Sequence, residues 1–183
     1  CSTVIDNDDY KIIGVIGTGV KNKLKKNSIF LRYKKKNLKY LGNLQVIQMI
    51  NFDEIVIAVG DNFIRESLYR KINNIFGKKK ITYAKIISKN SHISDGTKIG
   101  SGTVILSGVI INLNTIIGNN CLINNSSSIN HDNKINNFSS VAPGVITGGN
   151  VVIGKSSHIG IGAKIKNDIN VGNNTIIGGG SHV

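Results

Sequence analysis

At 183 residues, with 40% apolar residues and a formal charge of +13, the chain can fold as one or two small domains around a real core. No apolar run reaches 18 residues, so no membrane-inserted helix is expected, and Cys1 and Cys121 are too few and too far apart for a disulfide framework. A reducing, cytoplasmic setting fits this cysteine usage, and Cys1 standing where a Met would begin a chain leads us to expect a piece of a longer protein.

The charge is uneven. Residues 1–86 carry 17 Lys/Arg against 7 Asp/Glu, net +10, and residues 87–183 carry 6 against 3, net +3. A basic surface attracts anionic partners. However, Lys34–Lys36 and Lys78–Lys80 are short blocks without interleaved aromatics, and Lys, Asn and Ile are abundant throughout, so no nucleic-acid partner is expected.

In chain order, Lys11–Ile16 (KIIGVI) is a strand candidate. The following GVIGTGVKN lacks the third glycine of a dinucleotide fingerprint, since Asn22 occupies it, and reads as a strand end and loop. Glu54–Gly60 (EIVIAVG) reads as a buried parallel strand. Asn62–Phe76 reads as a helix with Ile64, Leu68, Ile72 and Ile75 on one face, capped by Asp61 or Asn62 and closed by Gly77. Residues 1–86 are thus expected to form a small, incomplete α/β Rossmann-like domain.

From Ile87 the pattern changes. Every sixth position from 87 to 183 is Ile or Val, with Thr147 the one exception and no insertion anywhere. Such a register is the signature of a β-solenoid, a parallel β-helix of hexapeptide repeats, with three short strands per 18-residue coil and roughly five coils about 4.8 Å apart. Gly often follows the aliphatic residue (Gly100, Gly118, Gly154, Gly160, Gly172, Gly178), which suggests a sharp turn at that position. Four residues after the aliphatic comes a small or β-branched residue such as Thr103, Ser139 or Ser157. Residues 87–183 form the second expected domain.

Four histidines raise the question of a metal. His92 and His182 share a face but stand five coils, about 24 Å, apart, and His131 and His158 fall at other phases of the coil, so no metal site is expected. The segment Ser127–Asp132 remains, in which His131 is a natural general base and Asp132 can reach its ring only if the chain turns there. The same histidine also reads as an exposed corner residue.

The stretch SINHDNKINNFSSVAPGVITGGNVVIGKSSHIGIGAKIKNDINVGNNTIIGGGS resembles the sialic acid O-acetyltransferase and bacillosamine N-acetyltransferase family of hexapeptide-repeat sugar acyltransferases. The likeness runs through Ile87–Val183 and weakly back through AVGDNFIRESLY. It implies left-handed winding and a homotrimer, with acetyl-CoA as co-substrate in the groove between two solenoids. It also implies a sugar or nucleotide-sugar acceptor held beside the first domain, with Gly60, Asp61 and Asn62 as acceptor-side candidates. By the same resemblance His131 is the catalytic base, Asp132 orients it, and Asn124 is a nearby amide. Gly149, Ile161 and Gly179 line the acetyl-CoA groove. Lys155, Lys164 and Lys166 are read as either CoA-phosphate partners or solvated corners.

The sequence departs from that family at several points. The family's second histidine, a donor to the acetyl carbonyl, aligns with Ser140, whose hydroxyl is the substitute candidate. No counterpart of the opening glycine-rich strand precedes Cys1, Gly17 and Thr18 replace aspartates expected after the second strand, and the final strand and tail beyond Val183 are lacking. The expected function is acetyl transfer to a sugar amine or hydroxyl in surface glycan synthesis. The alternative is a non-catalytic or degenerate trimeric solenoid that binds ligand without turnover.

Overall fold

In the computed structural model the described residues are 10–17, 32–33, 36–37 and 40–183. Cys1, Thr18, Gly19, Asn22 and Lys34–Lys35 lie outside them.

The second half is a left-handed parallel β-solenoid of about five turns. Strands 18 residues apart pair in parallel and build three sheets. The first carries Ile87, Ile105, Ile123, Val141, Ile159 and Ile177. The second carries Ile93, Ile111, Ile129, Thr147 and Ile165, and the third Ile99, Ile117, Ile135, Ile153 and Val171. Each strand has two residues, so one side chain turns inward and the other outward. The inward residues from Ile105 to Ile165 make one continuous core, and each buried Ile contributes roughly 2 kcal/mol.

The turn chemistry differs from the sequence reading. The left-handed residue of each corner lies three positions after the inward aliphatic, not one. Every sixth residue from Gly96 to Gly180 has a positive φ, between 53° and 75°, including Asn114, Asn120, Asp132, Asn150 and Asn174. Gly, Asn and Asp tolerate that region best. The glycines directly after the aliphatic answer a different need. A β-carbon on Gly118 would stand 2.7 Å from the Asn137 backbone nitrogen, and one on Gly160 would stand 2.5 Å from that of Gly179. These glycines let one coil approach the next.

The small polar column also has a physical reason. Thr103 Oγ1, Ser139 Oγ and Ser157 Oγ donate to the carbonyls of Gly118, Gly154 and Gly172, each 15 residues onward, at 2.6–2.7 Å. The column therefore satisfies buried carbonyls that the strands leave unpaired.

The first half contains two small parallel pairings. Val15–Gly17 pairs with Tyr40–Asn43, and Glu54–Ile55 with Thr82–Tyr83. The expected strand Glu54–Gly60 stops at Ile55; beyond it Val59 N donates to the Ile57 carbonyl at 3.0 Å, and the Val59 and Gly60 carbonyls accept from the guanidinium of Arg65. Helix α1 spans Asn62–Phe76, with the Asp61 carboxylate accepting from Ile64 N at 2.8 Å and Gly77 at φ 57° closing it. Its inner face is Asn62, Arg65, Leu68 and Ile72. Ile64, expected inside, is exposed.

The swap of Ile64 for Arg65 follows from what α1 packs against. The corner between the third and first sheets presents main-chain carbonyls, so a donor fits where an aliphatic side chain would leave them unsatisfied. Arg65 donates to the carbonyls of Asn120 and Phe138 at 2.8 Å and to Asn62 Oδ1 at 2.6 Å. Asn62 donates to the carbonyls of Ser156 and Ser157. Glu66 pairs with Lys155 at 2.7 Å and accepts from Ser156 Oγ at 3.0 Å. Phe138 keeps φ 61°, unusual for so large a residue, while its ring meets Tyr69 edge-on at 5.4 Å.

Candidate active site

His131 and Asp132 sit on the corner between the second and third sheets, following the strand Ser128–Ile129. The left-handed Asp132, φ 58°, turns the chain so that two adjacent side chains meet. His131 Nδ1 lies 2.7 Å from Asp132 Oδ2, with the two side chains 57% and 51% exposed. The hydrogen bond from His131, reinforced by one from Asn114, holds the Asp132 carboxyl below the ordinary carboxylate range. An ionised carboxylate only accepts, so Nδ1 carries a proton, and in the neutral imidazole the lone pair then falls on Nε2. Nε2 makes no hydrogen bond among the described residues.

The turn is held from several sides. Asn130 Oδ1 accepts from His131 N at 2.9 Å, and the His131 carbonyl accepts from Asn150 N at 3.1 Å. Asp132 N donates to the Leu113 carbonyl in the coil below. Gly149 is stacked above His131, where any β-carbon would stand 2.5 Å from the imidazole Cε1.

The remaining candidates lie elsewhere on the single chain. Asn124, Ile161 and Gly179 line the corner between the first and second sheets, where Ile161 is 64% exposed and its Cγ2 would be 3.0 Å from a β-carbon on Gly179. Ser140 faces outward on the first sheet, 2% exposed, with its Oγ 2.7 Å from His158 Nδ1. That partner was not anticipated, although the 18-residue spacing of Ser140 and His158 was readable in the sequence. Gly60, Asp61 and Asn62 form the joint at the start of α1 on the third corner, where each also serves the fold. Lys155 is committed to Glu66. Thus, of the candidates, one chain places only Asp132 and Gly149 beside His131.

Among the described residues no group of three His, Cys, Asp or Glu side chains could hold a metal ion, and no helix is long and apolar enough to cross a membrane.

No protein-family model and no curated protein matches the chain. Solved structures do. The acetyltransferase domain of PglB from Neisseria gonorrhoeae is 21% identical, with a TM-score of 0.76 over 93% of this chain and 89% of that one. PerB from Caulobacter crescentus, a GDP-perosamine N-acetyltransferase solved with CoA and GDP-perosamine, is 23% identical, with a TM-score of 0.78 over 94% and 89%. WeeI from Acinetobacter baumannii is 19% identical, with a TM-score of 0.58 over 92% and 96%. The chain thus shares its fold with these sugar acetyltransferases over nearly its whole length, with the left-handed β-helix as its second half.

Proposed function

We propose that the protein transfers an acetyl group from acetyl-CoA to an amine or hydroxyl of a sugar, nucleotide-linked or a sialic acid, in surface glycan synthesis. The observation that carries this reading is the His131–Asp132 pair, in which the carboxylate fixes a proton on Nδ1 and leaves Nε2 without a partner among the described residues on an open corner. Nε2 removes the proton of the acceptor nitrogen or oxygen as that atom attacks the thioester carbonyl carbon. The tetrahedral adduct then collapses, the carbon–sulfur bond breaks, and CoA leaves as a thiol with the proton returned. Asp132 balances the charge of the imidazolium and keeps its ring aligned.

The acetyl-CoA groove is assigned to Gly149, Ile161 and Gly179, and the acceptor side to Gly60, Asp61 and Asn62. Those groups occupy three different corners of one chain, so the complete site needs neighbouring copies, and a homotrimer is the assembly we propose. Exposed Ile110, Leu113, Ile116 and Ile146 surround the His131 corner and support burial there.

The test is CoA release by the purified chain with acetyl-CoA and a panel of amino and hydroxy sugars, free and nucleotide-linked, with products identified by mass. Loss of release in His131→Ala is expected. Failure of every acceptor, together with no acetyl-CoA binding, overturns the reading.

A second reading, a solenoid that binds ligand without turnover, draws on one observation. The Ser140 hydroxyl, the substitute for the acetyl-carbonyl donor, is buried and occupied by His158. Loss of such a donor costs about 10²–10³ in rate. Acetyl-CoA binding without any product would favour this reading.

A further inference from the structure

One rung of the ladder between coils is regular except at one point. At every sixth residue from Ser88 to Lys166 the backbone N–H donates to the carbonyl of the inward residue 17 positions onward, as in Asn112 N to Ile129 O at 2.9 Å and Gly148 N to Ile165 O at 2.7 Å. Asn130 alone departs. Its N–H donates instead to the side-chain hydroxyl of Thr147, at 3.1 Å. The strand pairing records the same break, because Ser128 pairs with Ile146 while Ile129 and Thr147 do not pair.

Thr147 is also the one non-aliphatic residue in the Ile/Val register, and it is 1% exposed. A buried hydroxyl in an aliphatic ladder is costly unless it is used. The use lies next to the base, since Asn130 immediately precedes His131.

A second departure faces the first. The polar column, elsewhere mostly Ser, Thr or Cys, holds Asn133, which is 2% exposed. Its longer side chain donates to Gly148 O at 2.9 Å, as the column requires, and also reaches back to Asn130 O at 2.6 Å and His131 O at 3.3 Å. Thr115 Oγ1 donates to the same Asn130 carbonyl at 2.9 Å. The Asn130 N–H is therefore held by a side chain instead of the regular ladder, and its carbonyl by two side chains where the column elsewhere supplies one.

From this we infer that Thr147 is a positioning residue for the reaction proposed above, acting through the Asn130 amide to set the aim of the His131 imidazole. Asn133 serves the same turn from its carbonyl side. An aliphatic residue at 147 would let Asn130 return to the ladder and turn the imidazole away from its alignment on Asp132 and Gly149. Misplacing a base by about 1 Å costs up to about 100-fold in rate.

The experiment compares wild type, Thr147→Val and Thr147→Ser in the full chain. Thr147→Val is expected to lower kcat roughly ten- to hundredfold with acetyl-CoA affinity unchanged, to retain or raise the melting temperature, and to shift the His131 ring nitrogens by NMR. Thr147→Ser, which keeps the hydroxyl, should restore both the rate and the ring signals. Unchanged kcat and ring signals in Thr147→Val would overturn the inference. The NMR arm needs no acceptor, so it reads the inference even if the wild-type chain proves inactive with every sugar; inactivity would then overturn only the proposed function.

Discussion

Gly149 and His131 are stacked face to face across one coil, with no room for a methyl group between them. Gly149→Ala must therefore displace either the ring or the coil above it. The imidazole is half-exposed and yields first. We expect kcat to fall about 100-fold with little change in melting temperature. A variant with normal turnover would show that the stacked position is not the working one.

Asp132 fixes which ring nitrogen is free. In Asp132→Asn the amide can present its N–H to Nδ1, which lets the proton move to Nε2 and removes the base. Turnover should drop about 10²- to 10⁴-fold, while acetyl-CoA binding measured by calorimetry stays the same.

Arg65 is buried with its guanidinium spread over carbonyls, and burial pulls its pKa below the usual value. Arg65→Leu leaves several carbonyls without donors, each costing about 1–3 kcal/mol. The expected result is release of α1 from the solenoid. The near-ultraviolet signal of Tyr69 and Tyr83, whose rings lie 4.8 Å apart, should fall while the β signal of the solenoid persists.

Glu66 supplies a pH dependence to the same joint. Burial by itself would raise its pKa, but hydrogen bonds from Lys155, Arg70 and Ser156 win and bring it from 4.5 down to about 2. A carboxyl with a depressed folded-state pKa stabilises above its unfolded value and stops doing so as pH falls through the folded one. The joint should hold at pH 5 and weaken progressively between pH 4.5 and about 2, followed by the same tyrosine signal. In Glu66→Gln that component of the acid response should vanish.

The solenoid was legible because each short strand turns one Ile or Val inward, so the packing writes a period of six directly into the sequence. The corner conformation was legible too, in the run of Gly, Asn and Asp three residues later. The more conspicuous glycines after the aliphatic drew the reading to the wrong position. The first half was harder. EIVIAVG has the composition of a buried strand, yet the pairing ends at Ile55 and the last two carbonyls of the run go to a single charged residue, Arg65. No local pattern announces that an arginine will turn inward, since its partners, Asn120 and Phe138, lie 55 and 73 residues away. The His131–Asp132 contact needed a left-handed residue between two strands, which the register placed at Asp132 only once the corner column was known.

The contacts that Arg65 and Asn62 make with the solenoid depend little on the identity of the residues gripped. Arg65 and Asn62 read main-chain oxygens at Asn120, Phe138, Ser156 and Ser157, so exchanges of those side chains leave the acceptors in place wherever the left-handed bend survives. These contacts survive chemical divergence at the corner, and a graft of α1 onto another coil of the same pitch would find equivalent oxygens waiting.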